Sequence, residues 1–136
     1  MSDATSRLIV LAEDNAELRA LLARGLERVG FVVVEAENGV DLVEKVRQVA
    51  ADAARAGALA LIVTDVRMPV MDGIAAVRAL REHGVVTPVI FMTAFGNPRA
   101  RSAAENLNSR WIDKPIGLNS LRAAVAEVLS VERQNA

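Results

Sequence analysis

Short apolar runs alternate with segments of helical pattern along the chain. Nearly continuous apolar runs of this length are typical of strands buried on both faces, as in a parallel sheet. The five runs, of which the fifth is weak, are Leu8–Ala12, Phe31–Val34, Leu59–Val63, Val89–Met92 and Arg110–Ile112. Between and after these runs, apolar residues recur at the spacing of amphipathic helices. The pattern therefore predicts a strand–helix unit that is repeated five times.

Each predicted helix carries its apolar residues on one face. These residues are Leu18, Leu21, Leu22, Leu26 and Val29 in the first helix, Val43, Val46 and Val49 in the second, Ile74, Val77 and Leu80 in the third, and Leu118, Leu121, Val125 and Val128 in the fifth. The fourth segment, which begins at Pro98, offers a core only Ala100, Ala103, Ala104 and Leu107. We therefore expect a fourth helix that is weakly anchored.

Glycines and prolines mark the ends of the predicted helices, because glycine favours helix stops and proline favours helix starts. The stops and starts predicted in this way are Gly30, Gly57, Gly84, Pro98 and Pro115. An alanine-rich stretch occupies residues 50–58. It predicts a lengthened second helix that runs on into a loop.

The alternation of strands and helices indicates an α/β fold. Such repeats form a doubly wound parallel sheet with helices on both faces and right-handed crossovers. The 136 residues suit one domain of ordinary size. We expect a lead at residues 1–6, the domain at 7–131 and a tail at 132–136, with no DNA-binding or enzymatic output domain after the fifth helix.

The composition excludes several classes of function. The chain has no cysteine and one histidine, so a disulfide scaffold, a thiolate site, a cysteine nucleophile and a multi-histidine metal centre are excluded. Sixteen basic and 17 acidic side chains give a formal net charge of −1, which offers no footprint for nucleic acid or an anionic membrane. The apolar runs are far shorter than the roughly 20 residues of a membrane span. We expect a cytoplasmic protein without direct nucleic-acid or membrane partners.

Polar side chains stand at the ends of four predicted strands. Glu13 and Asp14 follow the first strand, Asp65 ends the third, Thr93 ends the fourth and Lys114 follows the fifth. In an open α/β sheet, ligands bind beyond the carboxyl ends of the strands. We therefore expect these five side chains to share one rim of the sheet.

This set of residue types indicates a metal and phosphoryl site. Three carboxylates on one rim repel one another, so their ionisation calls for a cation. Because all the candidate ligands are oxygens, Mg²⁺ is the metal expected. A lysine and a threonine hydroxyl can bind phosphoryl oxygens, and a carboxylate in such a site can act as a nucleophile. Singly, the residues have ordinary roles, such as helix capping by Asp14 or turn chemistry at Asp65; the coincidence of four strand ends favours the site.

The same residues carry a family resemblance that covers about Arg7 to Leu129. Glu13-Asp14, the run DVRMPVMDG at 65–73, Thr93-Ala94 and Lys114-Pro115 resemble the receiver domain of two-component response regulators, of the chemotaxis-regulator type. The resemblance implies a flavodoxin-like (βα)5 fold with strand order 2-1-3-4-5. It also implies a phosphoacceptor signalling protein rather than an enzyme that acts on other molecules.

The resemblance assigns a role to each acidic residue of the rim. A histidine kinase or histidine phosphotransfer protein would phosphorylate Asp65. Mg²⁺ would be bound by Asp14, Asp65 and the main-chain carbonyl of Arg67, and Glu13 would act mainly through metal-bound water. Arg67 and Phe95 would flank the attacking water, which suggests a long-lived phosphoryl group.

The resemblance also implies a conformational switch. Thr93 and Lys114 would contact the phosphoryl group, and Trp111 would occupy the position of the switch aromatic. Movement of Thr93 would let Trp111 turn inward and would reshape the surface formed by helix four, strand five and helix five. A downstream protein would read this surface, and homodimerisation through it on phosphorylation is a hypothesis.

Three alternative functions are weighed against this one. A phosphatase of the haloacid dehalogenase type normally has a second aspartate where Arg67 stands, and a flavodoxin-like cofactor binder would need a Gly-, Ser- and Thr-rich loop where residues 12–16 are acidic. Both are disfavoured. A receiver fold that serves as an interaction module without phosphorylation stays open.

Overall fold

The computed structural model describes residues 7–94, 98–104 and 107–134, with side chains through Val131. Phe95 lies outside the described residues. Strands and helices alternate strictly along the chain. In order they are β1 (Leu8–Ala12), α1 (Ala16–Glu27), β2 (Val32–Ala36), α2 (Gly39–Ala51), a 3-10 turn (Ala56–Ala58), β3 (Leu59–Asp65), α3 (Gly73–Glu82), β4 (Val89–Ala94), α4 (Pro98–Ala103), β5 (Ser109–Lys114) and α5 (Leu118–Gln134).

The five strands form one parallel sheet in the order β2-β1-β3-β4-β5, which confirms the predicted fold class and strand order. Neighbouring strands end close to register, with Asp65 opposite Met92 and Ala94 opposite Lys114. Since all strands are parallel, their carboxyl ends share one edge of the sheet. The chain leaves β1 for α1 on one face of the sheet and leaves β3 for α3 on the other face, so a crevice opens between β1 and β3, where such folds bind their ligands.

The helices cover the sheet in two layers. Side chains of α2, α3 and α4 pack on one face, and those of α1 and α5 pack on the other. The four predicted apolar runs β1, β2, β3 and β4 lie between these layers, but β2 is an edge strand and is only partly buried. The two buried clusters hold the sheet in place, and with it the edge at which the polar residues end their strands.

The apolar face of α1 is narrower than the sequence predicts. Leu22 and Leu26 are fully buried, whereas Leu21 is 48% exposed and Val29 is 52% exposed. The prediction for those two residues is wrong because Leu21 faces away from the sheet and Val29 lies beyond the last helical residue, Glu27. In the fourth helical segment, Ala103 is likewise exposed, while its predicted partners at 100, 104 and 107 are buried.

The prediction of a lengthened second helix is also wrong. Helix α2 ends at Ala51, and the side chain of Asp52 accepts hydrogen bonds from the main chain of Ala54 and from the guanidinium of Arg55. An aspartate that bonds to the local backbone in this way competes with helix continuation. Gly57 therefore lies in the 3-10 turn rather than at a helix end.

Other boundaries shift by a few residues. Gly30 and Gly84 follow α1 and α3 with positive φ angles of 104° and 84°, as a helix stop requires. Helix α4 begins at Pro98 as predicted, but α5 begins three residues after Pro115 and continues to Gln134, into the segment predicted as a tail. Strands β3, β4 and β5 extend to the rim, so Asp65, Thr93 and Lys114 lie within the strands themselves.

Candidate functional site

Glu13 and Asp14 follow β1 and differ in their surroundings. Asn15, not Asp14, is the N-cap of α1, because its side chain accepts a hydrogen bond of 3.0 Å from the amide of Leu18. Glu13 is buried, whereas Asp14 is exposed and makes no hydrogen bond or ion pair with any described residue. Asn15 therefore fills the capping role that was considered for Asp14. The Asp14 carboxylate is left available to a ligand. The sequence could have identified Asn15 as the cap, because an asparagine directly before the first helical turn is a typical N-cap residue.

Three carboxylates meet at the crevice between β1 and β3. Carboxylate oxygens of Glu13, Asp14 and Asp65 lie within 4.8 Å of one another. Glu13 is only 1% exposed and Asp65 only 6% exposed. Such a cluster supplies hard oxygen ligands to a divalent cation.

Lys114 reaches this cluster from the end of β5, two strands away from β3. Its Nζ donates to Asp65 Oδ2 at 2.9 Å and to Glu13 Oε1 at 3.0 Å. The other oxygen of Glu13 accepts a hydrogen bond of 3.1 Å from the amide of Asn15. The lysine therefore bridges two buried carboxylates, a contact that the sequence pattern alone does not reveal.

The electrostatics of the bridge follow from burial and pairing. Burial raises the pKa of Glu13, the hydrogen bonds from Asn15 and Lys114 oppose that rise, and the negative charge of Asp65 adds to it. Burial by itself would lower the pKa of Lys114, but its hydrogen bonds to Asp65 and Glu13 and the charges of both acids outweigh it, so this pKa is raised. The ammonium group therefore stays charged at neutral pH, as an electrostatic role requires.

Thr93 and Arg67 flank the cluster from β4 and from the loop after β3. Thr93 is buried, one residue beyond the register partner of Asp65, and its hydroxyl donates to the carbonyl of Ala94 over a long 3.4 Å. Arg67 and Asp14 line one cleft of about 390 Å³. The main-chain carbonyl of Arg67 accepts no hydrogen bond from the described residues. Among the described residues, the Arg67 carbonyl therefore has no donor, and the Thr93 hydroxyl is held only by this long hydrogen bond.

The backbone beneath Asp65 is fixed by residues for which sequence reasoning found no such role. The hydroxyl of Thr64 donates to the carbonyl of Asp65 at 2.9 Å. A Cβ atom on Gly73 would lie 2.1 Å from the same oxygen, so only glycine fits at the start of α3. Asp72 caps that helix through a 2.8 Å hydrogen bond from Ala75, as expected for helix-start chemistry. The Asp72-Gly73 pair signals the helix start in the sequence, but Thr64 has no comparable signal.

Trp111 lies in β5, opposite Phe91 in the register of the sheet. The two ring centroids are 4.9 Å apart, and the indole nitrogen donates to Ser109 Oγ at 3.2 Å. The guanidinium of Arg101, from α4, lies 5.4 Å from the centre of the Trp111 ring. Trp111 is half-buried, and a side chain of the short helix α4 lies over its ring.

Comparison with known proteins identifies the family. A family model described as the response regulator receiver domain matches residues 9–126. The chain belongs to the response regulator receiver domain family. Receiver domains are signalling modules of two-component systems, and phosphoaspartate and Mg²⁺ are features of the family. Among the described residues of this receiver domain, none of the helices combines the length and the apolar character that a membrane crossing requires.

Relatives of this receiver domain include both short and long proteins. It is 29% identical to the chemotaxis protein CheY of Halobacterium salinarum over 126 residues, which are 92% of this chain and 98% of that protein. It is 32% identical to the sensor protein EvgS of Escherichia coli over 90% of this chain, but the chain spans only 10% of EvgS. It spans 25% of the regulatory protein AtoC of the same species. A receiver domain protein from Clostridium thermocellum shares the fold, with a TM-score of 0.81 at 17% identity over 96% of this chain and 99% of that chain.

Proposed function

We propose that this receiver domain accepts a phosphoryl group on Asp65 from a histidine kinase or a histidine phosphotransfer protein. The observation that carries the proposal is the Lys114 bridge to Asp65 and Glu13 within the three-carboxylate cluster. A charged lysine beside a strand-end aspartate is suited to offset the negative charge of a transferred phosphoryl group.

The residues of the rim fit Mg²⁺ as a cofactor. The donor set consists of oxygens only, Asp14 has no described partner, and the carbonyl of Arg67 accepts no hydrogen bond from the described residues. Asp14, Asp65 and the Arg67 carbonyl would hold the ion, and Glu13 would act through water bound to it. When bound, Mg²⁺ supplies positive charge beside the phosphoryl oxygens.

The chemistry asked of the protein is mainly positioning. Lys114 holds one carboxylate oxygen of Asp65, while the other accepts no hydrogen bond from the described residues and can attack. This oxygen forms a bond to phosphorus as the bond between phosphorus and the donor's histidine nitrogen breaks. Transfer through such a loose transition state needs alignment and charge stabilisation and little else. Asp65 is therefore the phosphoacceptor and Lys114 the electrostatic residue.

The proposed switch begins at Thr93. Among the described residues, its hydroxyl makes only a long contact with Ala94, so a phosphoryl oxygen can replace that acceptor. The new group adds roughly 1.5 to 2 negative charges, by analogy with other phosphorylated side chains. Movement of Thr93 towards it would alter the packing around Trp111 and α4, a six-residue helix. The surface of α4, β5 and α5 would then be read by a downstream protein.

Mass spectrometry after incubation with acetyl phosphate and Mg²⁺ tests the phosphoacceptor. We expect a mass gain of one phosphoryl group in the wild-type protein and in the control Asp52→Asn, an exposed carboxylate that lies outside the rim. Asp65→Asn should show no gain. Absence of a gain in the wild type, or a gain that survives Asp65→Asn, would refute the proposal and leave the interaction module as the better interpretation.

The emission of Trp111 tests the switch separately, since it is the single tryptophan. We expect its fluorescence to change on phosphorylation. If the mass shift appears and the emission stays constant, the proposed switch is wrong while the phosphoacceptor assignment stands.

Sedimentation tests the hypothesis that phosphorylation causes homodimerisation. A monomer both with and without the phosphoryl mimic beryllofluoride would reject it. A cytoplasmic location is part of the same proposal, because it rests on the expected two-component partners.

A further inference from the structure

A second cleft, of about 520 Å³, lies between α3 and α4 beside the carboxylate cluster. Three arginines, Arg67, Arg78 and Arg99, are among the residues that line it. Its floor is apolar and includes Val66, Ile74 and Ala100, which are almost completely buried. The cleft thus combines a basic rim with a small aliphatic floor.

The positive charge of this rim is largely uncompensated within the described part of the chain. Arg67 and Arg99 are exposed and form no hydrogen bond or ion pair with described residues. Arg78 donates to the main-chain carbonyl of Ala103, which is a neutral partner. Asp72 is the one acid along the described lining, and one of its carboxylate oxygens accepts the cap hydrogen bond of α3. Three arginines and one aspartate therefore line the described part of this cleft, in a chain whose formal net charge is −1.

We propose that this arginine-lined cleft binds an acidic peptide segment of a partner protein. Arginine pairs with carboxylates through two parallel hydrogen bonds, so three arginines can hold two or three acidic side chains in a fixed order. An apolar side chain of the peptide would occupy the floor over Val66 and Ile74. A nucleotide suits the cleft less well, because none of its described lining residues is aromatic and a base would have no ring to stack on.

The site is separate from the proposed phosphoacceptor in its chemistry. Peptide binding needs the guanidinium groups and the floor, and it does not need the carboxylate of Asp65. The cleft does border α4, so a bound segment would lie against the helix that the proposed switch moves. The inference therefore adds a binding surface to the proposed function without depending on it.

Selection from a random-peptide phage library on the immobilised full chain tests this inference. We expect enriched peptides to contain several Asp or Glu residues around an apolar residue. A fluorescein-labelled synthetic copy of the leading peptide should bind more weakly as salt rises, because exposed charge pairs are screened. Its dissociation constant should rise about tenfold or more in Arg99→Glu, as loss of a charge-assisted contact implies.

Matched variants separate the cleft from general charge effects. Arg24→Glu makes the same charge change on an exposed arginine of α1, on the opposite face of the sheet, and should leave the dissociation constant unchanged. Arg99→Gln removes the charge without reversing it and replaces Arg99→Glu if that variant fails to fold by circular dichroism. Asp65→Asn should retain peptide binding, so failure of this inference is distinguishable from failure of the phosphoacceptor.

Several results would overturn the inference. They are an absence of enriched peptides, enriched peptides without an acidic bias, and binding that Arg99→Glu and Arg99→Gln leave intact. Inorganic phosphate and ATP serve as competing probes. If either binds the cleft in an Arg99-dependent way while acidic peptides do not, the cleft is a site for small anions and the peptide assignment is wrong.

Discussion

Replacing Lys114 by methionine removes the ammonium group that bridges the buried carboxylates of Glu13 and Asp65. A hydrogen bond to a charged group contributes about 1.5–3 kcal/mol, and removing one partner of a buried ion pair costs about 3–5 kcal/mol. The Lys114 side chain is 24% exposed, so water can solvate part of the space it leaves. We therefore expect the variant to lose about 2–3 kcal/mol of unfolding free energy at pH 7 in the absence of Mg²⁺.

The unfolding free energy that Lys114→Met loses should be smaller in acid than at pH 7. Burial already raises the pKa of Glu13, and loss of Lys114 removes groups that oppose the rise. The folded variant then binds a proton more readily than the unfolded chain, so its stability increases as the pH falls from 7 towards 5. In the wild type, the raised pKa of Lys114 contributes stability that is complete below the ordinary lysine value of 10.5 and is lost as the pH rises through the folded-state value.

Urea unfolding followed by circular dichroism at pH 7 and pH 5 measures both effects. The control is Lys45→Met, which removes the other lysine of the chain and breaks a surface ion pair with Asp41 of 3.2 Å. It should cost less than about 0.5 kcal/mol. Saturating Mg²⁺ should restore part of the stability of Lys114→Met, because binding to the folded state alone stabilises it. If Lys114→Met is as stable as the control at pH 7, or loses the same unfolding free energy at both pH values, then Lys114 does not stabilise the fold by compensating the charges of Glu13 and Asp65.

Two further pairs of variants test the packing by urea unfolding. Gly73→Ala should lower the unfolding free energy by about 1–3 kcal/mol and reduce phosphorylation, because its Cβ would lie 2.1 Å from the carbonyl oxygen of Asp65. Gly57→Ala has open space around its Cβ and should stay within about 0.5 kcal/mol of the wild type. Leu26→Ala should cost about 2–5 kcal/mol and Leu21→Ala less than about 0.5 kcal/mol. Equal losses within either pair would contradict the packing described for it.

The rim could be predicted from the sequence because parallel strands bring their carboxyl ends to one edge. The positions of Asp65 and Lys114 at strand ends follow from the apolar runs before them, and the structure joins the two by a hydrogen bond. The burial of Glu13 could not be predicted in this way. The buried carboxylate is compensated by Lys114, which is 101 positions away in the chain, and no local pattern contains that information.

Errors in the predicted helices have local causes. The end of α2 is set by the side chain of Asp52, which competes for main-chain hydrogen bonds where alanine content alone would continue the helix. The exposure of Leu21 reflects the width of the contact between α1 and the sheet, which depends on the position of neighbouring elements. Periodicity identifies a helix and its central buried residues, but the edges of its buried face are decided by tertiary packing.

The hydrogen bond between Lys114 and Glu13 joins residues that are 101 positions apart in the chain. During synthesis, Glu13, Asp14 and Asp65 are present long before the strand that carries their counter-charge has been made. A chain that stops before β5 would hold three mutually repelling acids and no lysine at the rim. Completion of the carboxylate–lysine cluster is therefore coupled to docking of β5, the last strand of the sheet.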